Sequence, residues 1–505
     1  MKTATRYLNF IGGRWVEAAS GRWFESRNPA DHGEVVGEVA KSGAEDVDRA
    51  VAAAQKAFAG WRLVPAPRRG EILGRVAAIL RERKEELSRL LTREMGKVLE
   101  EARGDVQESI DTAAYAAGEG VRLMGKTVPS ELADKFAMTI RVPVGVCGLI
   151  SPWNFPTAIP SWKLFPALVS GNTVVFKPAS DTPIVATEMV RILEEAGVPA
   201  GVVNLVHGGG GDVGMALVRH PGVALISFTG SSGVGREIAG ECGKALKRCS
   251  LELGGKNASI VMDDADLELA VDGSIWGAFG TTGQRCTATS RVIVHSKVKD
   301  VYLQALVKRA RGLKLGSGLD ESVKVGPLMN EARRVEVHSH VEAGVKAGAK
   351  LLCGGRPASG AGLANGWFYE PTVFDGVKPG DALAQEEIFG PVLSVITVDS
   401  FDEAIAALNN SKYGLSASIY TRDVNRAFRA IRDVETGILY VNSSTIGAEN
   451  HLPFGGLKET GNGHREGGWA AYDIYTEIRT VYVDYSGKLQ RAQIDNRPQG
   501  QAAPR

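Results

Sequence analysis

The chain has 505 residues, 59 Lys+Arg against 58 Asp+Glu and a formal net charge of +1 at pH 7, a balance that leaves no basic footprint for nucleic acid and no polybasic signal for a membrane surface. With 44% hydrophobic and 23% charged residues it reads as a folded protein with roughly three domains' worth of chain. Five cysteines without a CxxC spacing exclude a disulfide scaffold and a zinc ribbon, whereas 61 glycines, about 12% against an ordinary 7%, call for many tight turns and close backbone approaches.

The opening MKTATRYLNFIGG lacks the apolar core of a secretory signal. Residues 46–60 and 68–105 read as helices; in the second, Ile72, Leu73, Val76, Ile79, Leu80, Leu87, Leu90 and Leu91 recur at roughly helical spacing. The segment 127–142 alternates like a strand. Short Val- and Ile-rich runs follow at 144–151, 173–177, 202–206 and 224–228, separated by helical stretches at 160–170, 184–196, 211–219 and 234–245. Such alternation predicts a parallel sheet covered on both faces. The run 142–176 is the most apolar, but Trp153, Asn154, Lys163 and several prolines break it, so no membrane span is expected and a cytoplasmic location is. A second α/β unit follows, with strands at 259–262, 292–295, 393–398, 416–421 and 438–441 and helices at 267–281, 298–313, 400–409 and 423–432. Residues 476–484 alternate again; paired with 127–142 they would form a protruding sheet whose edge oligomerisation would cover. The polar end, 491–505, reads as an extended tail.

Five clusters carry candidate chemistry. LELGGK at 251–256 and GQRCTA at 283–288 place Glu252 and Cys286 34 residues apart. A thiolate adds to carbonyls and a carboxylate activates water, although an isolated cysteine is more often a packed small hydrophobe. SPWNFP at 151–156 and KPAS at 177–180 each follow a strand, at the end where open α/β sheets bind ligands. There the Asn154 amide suits a developing oxyanion, or a helix cap beside a packing Trp153, and Lys177 suits a ligand or solvent. FTGSSGVG at 228–235 joins a strand to a helix, and its glycines with the free N–H groups of a helix start suit a phosphate. The GxGxxG at 209–214 lies in a four-glycine run without the acidic strand end of the dinucleotide fingerprint, and reads as a turn. EEIFGPV at 386–392 and LPFGG at 452–456 set Phe389 and Phe454 beside Gly and Pro, a pattern shared by core residues and ligand contacts.

Together with YVN at 440–442, these motifs make the chain, from about residue 7 to about residue 485, resemble the aldehyde dehydrogenase superfamily in order and approximate spacing. The resemblance implies an α/β fold of two open parallel-sheet domains: a variant Rossmann cofactor domain over 1–122 and 143–254 and a catalytic domain over 255–460. Oligomerisation strands at 123–142 and 473–490 would build a homodimer or homotetramer. It also implies oxidation of a small aldehyde with NAD or NADP and no metal. Cys286 would be the nucleophile, Asn154 and the Cys286 backbone N–H the oxyanion hole, and Glu252 the base that activates water. Lys177 would meet the adenosine ribose, Trp153 and Ser231 the pyrophosphate region, Glu387 the nicotinamide ribose and Phe389 the nicotinamide side. Ile150, Ser151, Ser180, Gly210, Gly230, Val234 and Leu253 complete the implied cofactor contacts; Arg285, Trp162 and Phe454 are the implied substrate contacts.

The sequence also departs from the pattern. Many NAD-preferring members carry Glu where Ser180 stands, so NADP is expected to be accepted beside NAD. Arg285 would anchor a substrate carboxylate, or meet a subunit or a carboxylate of the protein. GQRCTATSR and VNSSTIGAENHLPFGG look closer to members acting on ketoglutarate or aminoadipate semialdehydes, with loop 443–451 bordering the substrate entrance. A coenzyme A-acylating enzyme is the alternative, against which Glu252 argues; a non-catalytic binding role is another. A zinc dehydrogenase finds no ligand spacing, His338 and His340 lying in a charged helical region.

Overall fold

The computed structural model describes residues 5–360 and 362–495; of the expected tail, 496–505 lie outside them. A seven-stranded sheet runs Arg248–Glu252, Leu225–Thr229, Val146–Ile150, Thr173–Lys177, Val203–Leu205, Asn9–Ile11, Arg14–Val16. Its first five strands are parallel and the two N-terminal ones antiparallel. Both faces are buried, which is why the strands read as unbroken apolar runs. Cys147, Leu149, Val174 and Phe176 pack on one side against Ala158–Val169 and Pro183–Glu195. Val146, Ile150, Val175, Ile226 and Phe228 pack on the other against Ala44–Trp61 and Ser232–Lys244.

A second seven-stranded sheet runs Lys350–Cys353, Thr372–Asp375, Val392–Val398, Thr289–His295, Asn257–Val261, Ser416–Tyr420, Ile438–Val441, all parallel but the first strand. It too is buried on both faces, Ile260 and Ile293 in one core, Val261, Val292 and Val294 in the other. The third sheet pairs Thr476–Asp484 with Lys135–Pro143 over nine antiparallel positions and adds Thr127–Pro129. It exposes Val128, Phe136, Ile478 and Tyr482.

The helix predicted over 68–105 is three: Ala66–Glu82, Lys84–Met95 and Leu99–Glu119. Gly96 ends the second with φ 92°, a left-handed conformation that glycine takes without strain. Periodicity continues across the break because all three helices bury apolar stripes in one core. The helix predicted over 267–281 ends at Phe279; Gly280–Gly283 is a tighter turn in which Thr281 and Thr282 have φ 50° and 57°. The stretch predicted over 211–219 begins with a wide turn, Gly210–Gly214, before Met215–Arg219. The N-terminal hairpin of Trp23–Asn28 with Asp31–Ala40 was not foreseen, its alternation being masked by Glu, Gly and Arg. Among the described residues no helix is long and apolar enough to cross a membrane.

Candidate active site

The carboxyl ends of the first sheet face the loop that precedes Thr289–His295 in the second. Ile150 and Ser151, Lys177, Thr229 and Glu252 all stand at or just past those ends, the crevice where parallel sheets bind ligands. The chain passes from one sheet to the other through Leu253–Lys256, so Glu252 and Asn257 belong to different sheets but adjoin the same loop.

Cys286 is built into that loop by unusual backbone. Thr281 and Thr282 are β-branched residues in the left-handed region, where they carry strain. Glu101 offsets it: both carboxylate oxygens accept the Thr281 N–H at 2.8 Å, and Arg285 Nη2 donates to the same carboxylate at 3.0 Å. Gly283, φ 70°, lies so close to the Gly390 carbonyl that a β-carbon would come within 2.1 Å of its oxygen, which no other residue tolerates. Asn257 then pins the backbone of Cys286, its Nδ2 donating to the carbonyls of Cys286 at 2.7 Å and Ala288 at 2.9 Å while Oδ1 accepts from Ser416 N at 3.0 Å. Asn257 was not foreseen; its only signal was a polar residue opening a fully buried strand.

Two cavities meet at Cys286. One is lined by Cys286, Glu252, Phe155, Ile159, Trp162, Leu415 and Phe454, with Arg285, Glu108 and Glu466 as further polar groups. Trp162 and Phe454 form its floor, ring centroids 4.7 Å apart. Gly447 and Ala448, from the loop expected at the entrance, also line it. The other is lined by Trp153, Asn154, Gly230, Ser231, Leu253, Gly254, Glu387, Phe389 and Cys286. The Trp153 and Phe389 rings meet edge-on at 5.5 Å.

Asn154 is buried, and its Nδ2 donates to the Gln284 carbonyl at 3.1 Å, leaving a second N–H. Glu252 is buried too, with Oε1 lacking any hydrogen-bond partner. Burial, reinforced by the nearby Glu466 carboxyl, holds Glu252 well above the usual carboxylate range, against the pull of Lys163 and Arg465. Behind it, Lys163 is fully buried and pairs with Glu466, and its Nζ donates to Ser227 Oγ at 3.0 Å. This buried pair was not foreseen, since Lys163 was read only as a break in an apolar run. Burial, then the carboxyls of Glu387 and Glu252, push the Cys286 thiol up to about 12.

The residues expected around the cofactor divide. Trp153, Gly230, Ser231, Leu253, Glu387 and Phe389 line the second cavity; Ile150, Ser151, Lys177, Ser180, Gly210 and Val234 do not. Ile150 and Ser151 are buried beneath it, Ser151 N donating to the Lys177 carbonyl at 3.2 Å. Lys177 is buried, its Nζ donating to Pro178 O at 2.7 Å, and desolvation lowers its ammonium to about 8. Ser180 Oγ donates to Gly208 O at 2.9 Å. Nothing lies within 4 Å of where a Gly210 β-carbon would stand, and Val234 is 43% exposed. Arg285 is paired with Glu101 while also lining the first cavity.

A sequence profile of the Aldehyde dehydrogenase family matches residues 15–481. The chain belongs to the aldehyde dehydrogenase family. It is 46% identical over 477 residues to an alpha-ketoglutaric semialdehyde dehydrogenase of Bacillus subtilis, covering 94% of this chain and 98% of that one. It is 44% identical over 478 residues to an alpha-ketoglutarate semialdehyde dehydrogenase of Haloferax volcanii, covering 94% and 99%. The solved betaine aldehyde dehydrogenase of Staphylococcus aureus in complex with NAD+ superposes with a TM-score of 0.93 at 34% identity, covering 95% of each chain. By that membership the protein is an aldehyde dehydrogenase.

The second cavity fits a dinucleotide. Thr229 Oγ1 is buried there without a partner. Gly230 and Ser231, which line it, lead into the 13-residue helix Ser232–Lys244, whose first N–H groups have no partner within the helix. The Glu387 carboxylate is held against the neighbouring turn, Oε1 accepting from Gly255 N at 2.9 Å.

Proposed function

We propose that the aldehyde is oxidised through a covalent adduct of Cys286 and released as the acid by water that Glu252 activates. The observation that carries this reading is the meeting of the two cavities at Cys286, with the partnerless Glu252 Oε1 in one and the free Asn154 N–H in the other. Once its thiol proton has passed to water, Cys286 Sγ adds as the thiolate to the aldehyde carbon, and the resulting oxyanion is received by the second Asn154 N–H and the Cys286 N–H. Trp153, Ser231, Glu387 and Phe389 would hold a nicotinamide cofactor in the second cavity, where it would supply the acceptor for the hydride lost from this tetrahedral carbon. A thioester remains on Cys286; water deprotonated by Glu252 attacks it, the acid leaves and the thiol is restored. Thiolysis by coenzyme A would not need a carboxyl placed like Glu252.

The cofactor unit comprises 1–122 and 143–254, and the catalytic unit 255–460. Both NAD and NADP are accepted, since Ser180 offers no charge to repel a 2′-phosphate. The substrate is a semialdehyde bearing a distal carboxylate, which the two semialdehyde dehydrogenase relatives and the polar groups in an otherwise apolar cavity support. Strands 123–142 and 473–490, with apolar side chains outward, join subunits into a homodimer or homotetramer. The test is NAD(P)H formation from glutarate semialdehyde, hexanal and betaine aldehyde with each cofactor. Oxidation of glutarate semialdehyde in preference to the others is expected; a strong preference for hexanal would sink the substrate assignment.

A further inference from the structure

Beyond the first cavity lies another, reached past Phe155, Arg285 and Glu108, which line both. Its wall is rich in carboxylates, and nearly all are neutralised. Glu100 pairs with Lys324, Glu101 with Arg285, Asp105 with Lys97 and Asp272 with Arg309. Asp105 is further fixed by Thr157 Oγ1 and Ala158 N, each donating at 2.7 Å. Glu108, one turn along the helix Leu99–Glu119, is the exception. It is half-buried and its carboxyl has neither hydrogen bond nor ion pair among the described residues. It lines both the outer cavity and the one that holds Cys286, and so is placed to meet the far end of an aldehyde bound there. Beside it Arg285 has committed Nη2 and Nε to Glu101 and Thr281, so the cation nearest to Glu108 is already held by another carboxylate.

Resting on the semialdehyde reading above, we propose that Glu108 is a specificity-determining residue that reads the charge at the far end of the substrate. As a neutral acid it donates a hydrogen bond to a substrate carboxylate; as an anion it turns that carboxylate away and favours a neutral or cationic aldehyde. Its surroundings keep the neutral form available. Burial and the Asp105 and Asp111 carboxylates of its own helix raise it to about 8, against Arg285 from the loop of Cys286 and Lys97; Tyr440, on the strand Ile438–Val441, is close enough to feel its charge.

The experiment is a pH series from 6.5 to 9.5 on the purified full chain with saturating NAD, measuring kcat/KM for glutarate semialdehyde and for hexanal. Taking their ratio cancels the ionisation of groups that serve both substrates, and the glutarate semialdehyde carboxylate is charged throughout. A hydrogen bond to a charged group is typically worth about tenfold or more, so the ratio is expected to fall about tenfold across pH 8. In E108Q, which keeps a donor but cannot ionise, the ratio is expected to be flat. A wild-type ratio that does not change with pH, or an E108Q ratio that falls as the wild type does, would overturn the inference while leaving aldehyde oxidation standing. Absence of turnover with either aldehyde would overturn the underlying reading and the inference with it.

Discussion

The two cavities that meet at Cys286 are built from different materials. The cofactor cleft is lined largely by short consecutive runs at strand ends, 152–154, 229–231 and 253–254, the second leading into a helix, with Glu387 and Phe389 from a further loop. The aldehyde cavity is made from side chains of distant segments, Glu108, Phe155, Trp162, Leu415 and Phe454, which recognise through shape and charge. Backbone recognition constrains several consecutive residues and so leaves a motif. Side-chain recognition constrains one residue at a time, and a relative can retune it without touching the chemistry. The shared centre, Cys286 with Glu252 and Asn154, is the point at which the two must agree.

Removing that shared centre should disable both cavities' joint work most severely. C286A is expected to lower kcat/KM for every aldehyde by about four orders of magnitude or more, while NAD binding, followed by calorimetry, persists; oxidation at near wild-type rate would break the comparison. Next, E252Q should lower steady-state turnover by about 10²- to 10⁴-fold, with a first burst of NADH still formed in a stopped-flow trace, because only thioester hydrolysis needs the base. N154A should cost about 10²-fold in kcat for all aldehydes alike, as an oxyanion donor is blind to the rest of the substrate. A change acting on the cofactor side alone is S180E, expected to lower the NADP-to-NAD ratio of kcat/KM by about tenfold through repulsion of the 2′-phosphate. The mildest effect is pH. Since Cys286 and Glu252 are both held above their ordinary values, their working basic forms become scarcer as pH falls. Hexanal kcat/KM should therefore rise from pH 6 to pH 9, and a flat profile would contradict that sign.

What the sequence made legible follows the same division. Both parallel sheets were readable, because strands buried on two faces are short apolar runs between amphipathic helices. The pairing of 127–142 with 476–484 was readable from alternation alone. Three helices were read as one, because a shared core keeps their periodicity in phase across Gly96. Cys286, Glu252 and Asn154 stood out through their flanks. The residues that hold them did not: Asn257 pins the Cys286 carbonyl, Glu101 secures Thr281 and Arg285, and Lys163 pairs with Glu466. Each is a single polar residue whose partner lies far away in sequence, and no local pattern marks such a contact before folding brings it about. Lys177 and Ser180 were recognised as residues but not as conformers. Lys177 Nζ is folded onto Pro178 O, a detail set by packing.

On the proposed route, Cys286 Sγ is the atom that holds the acyl group. The direct measurement is to mix the E252Q protein with hexanal and NAD, quench in acid, digest and weigh the cysteine-containing peptides. A hexanoyl mass on the peptide containing Cys286, absent when C286A is combined with E252Q, is the predicted result. A hexanoyl mass on the peptide carrying Cys249, or NADH formation by C286A with no acylated cysteine, would contradict it.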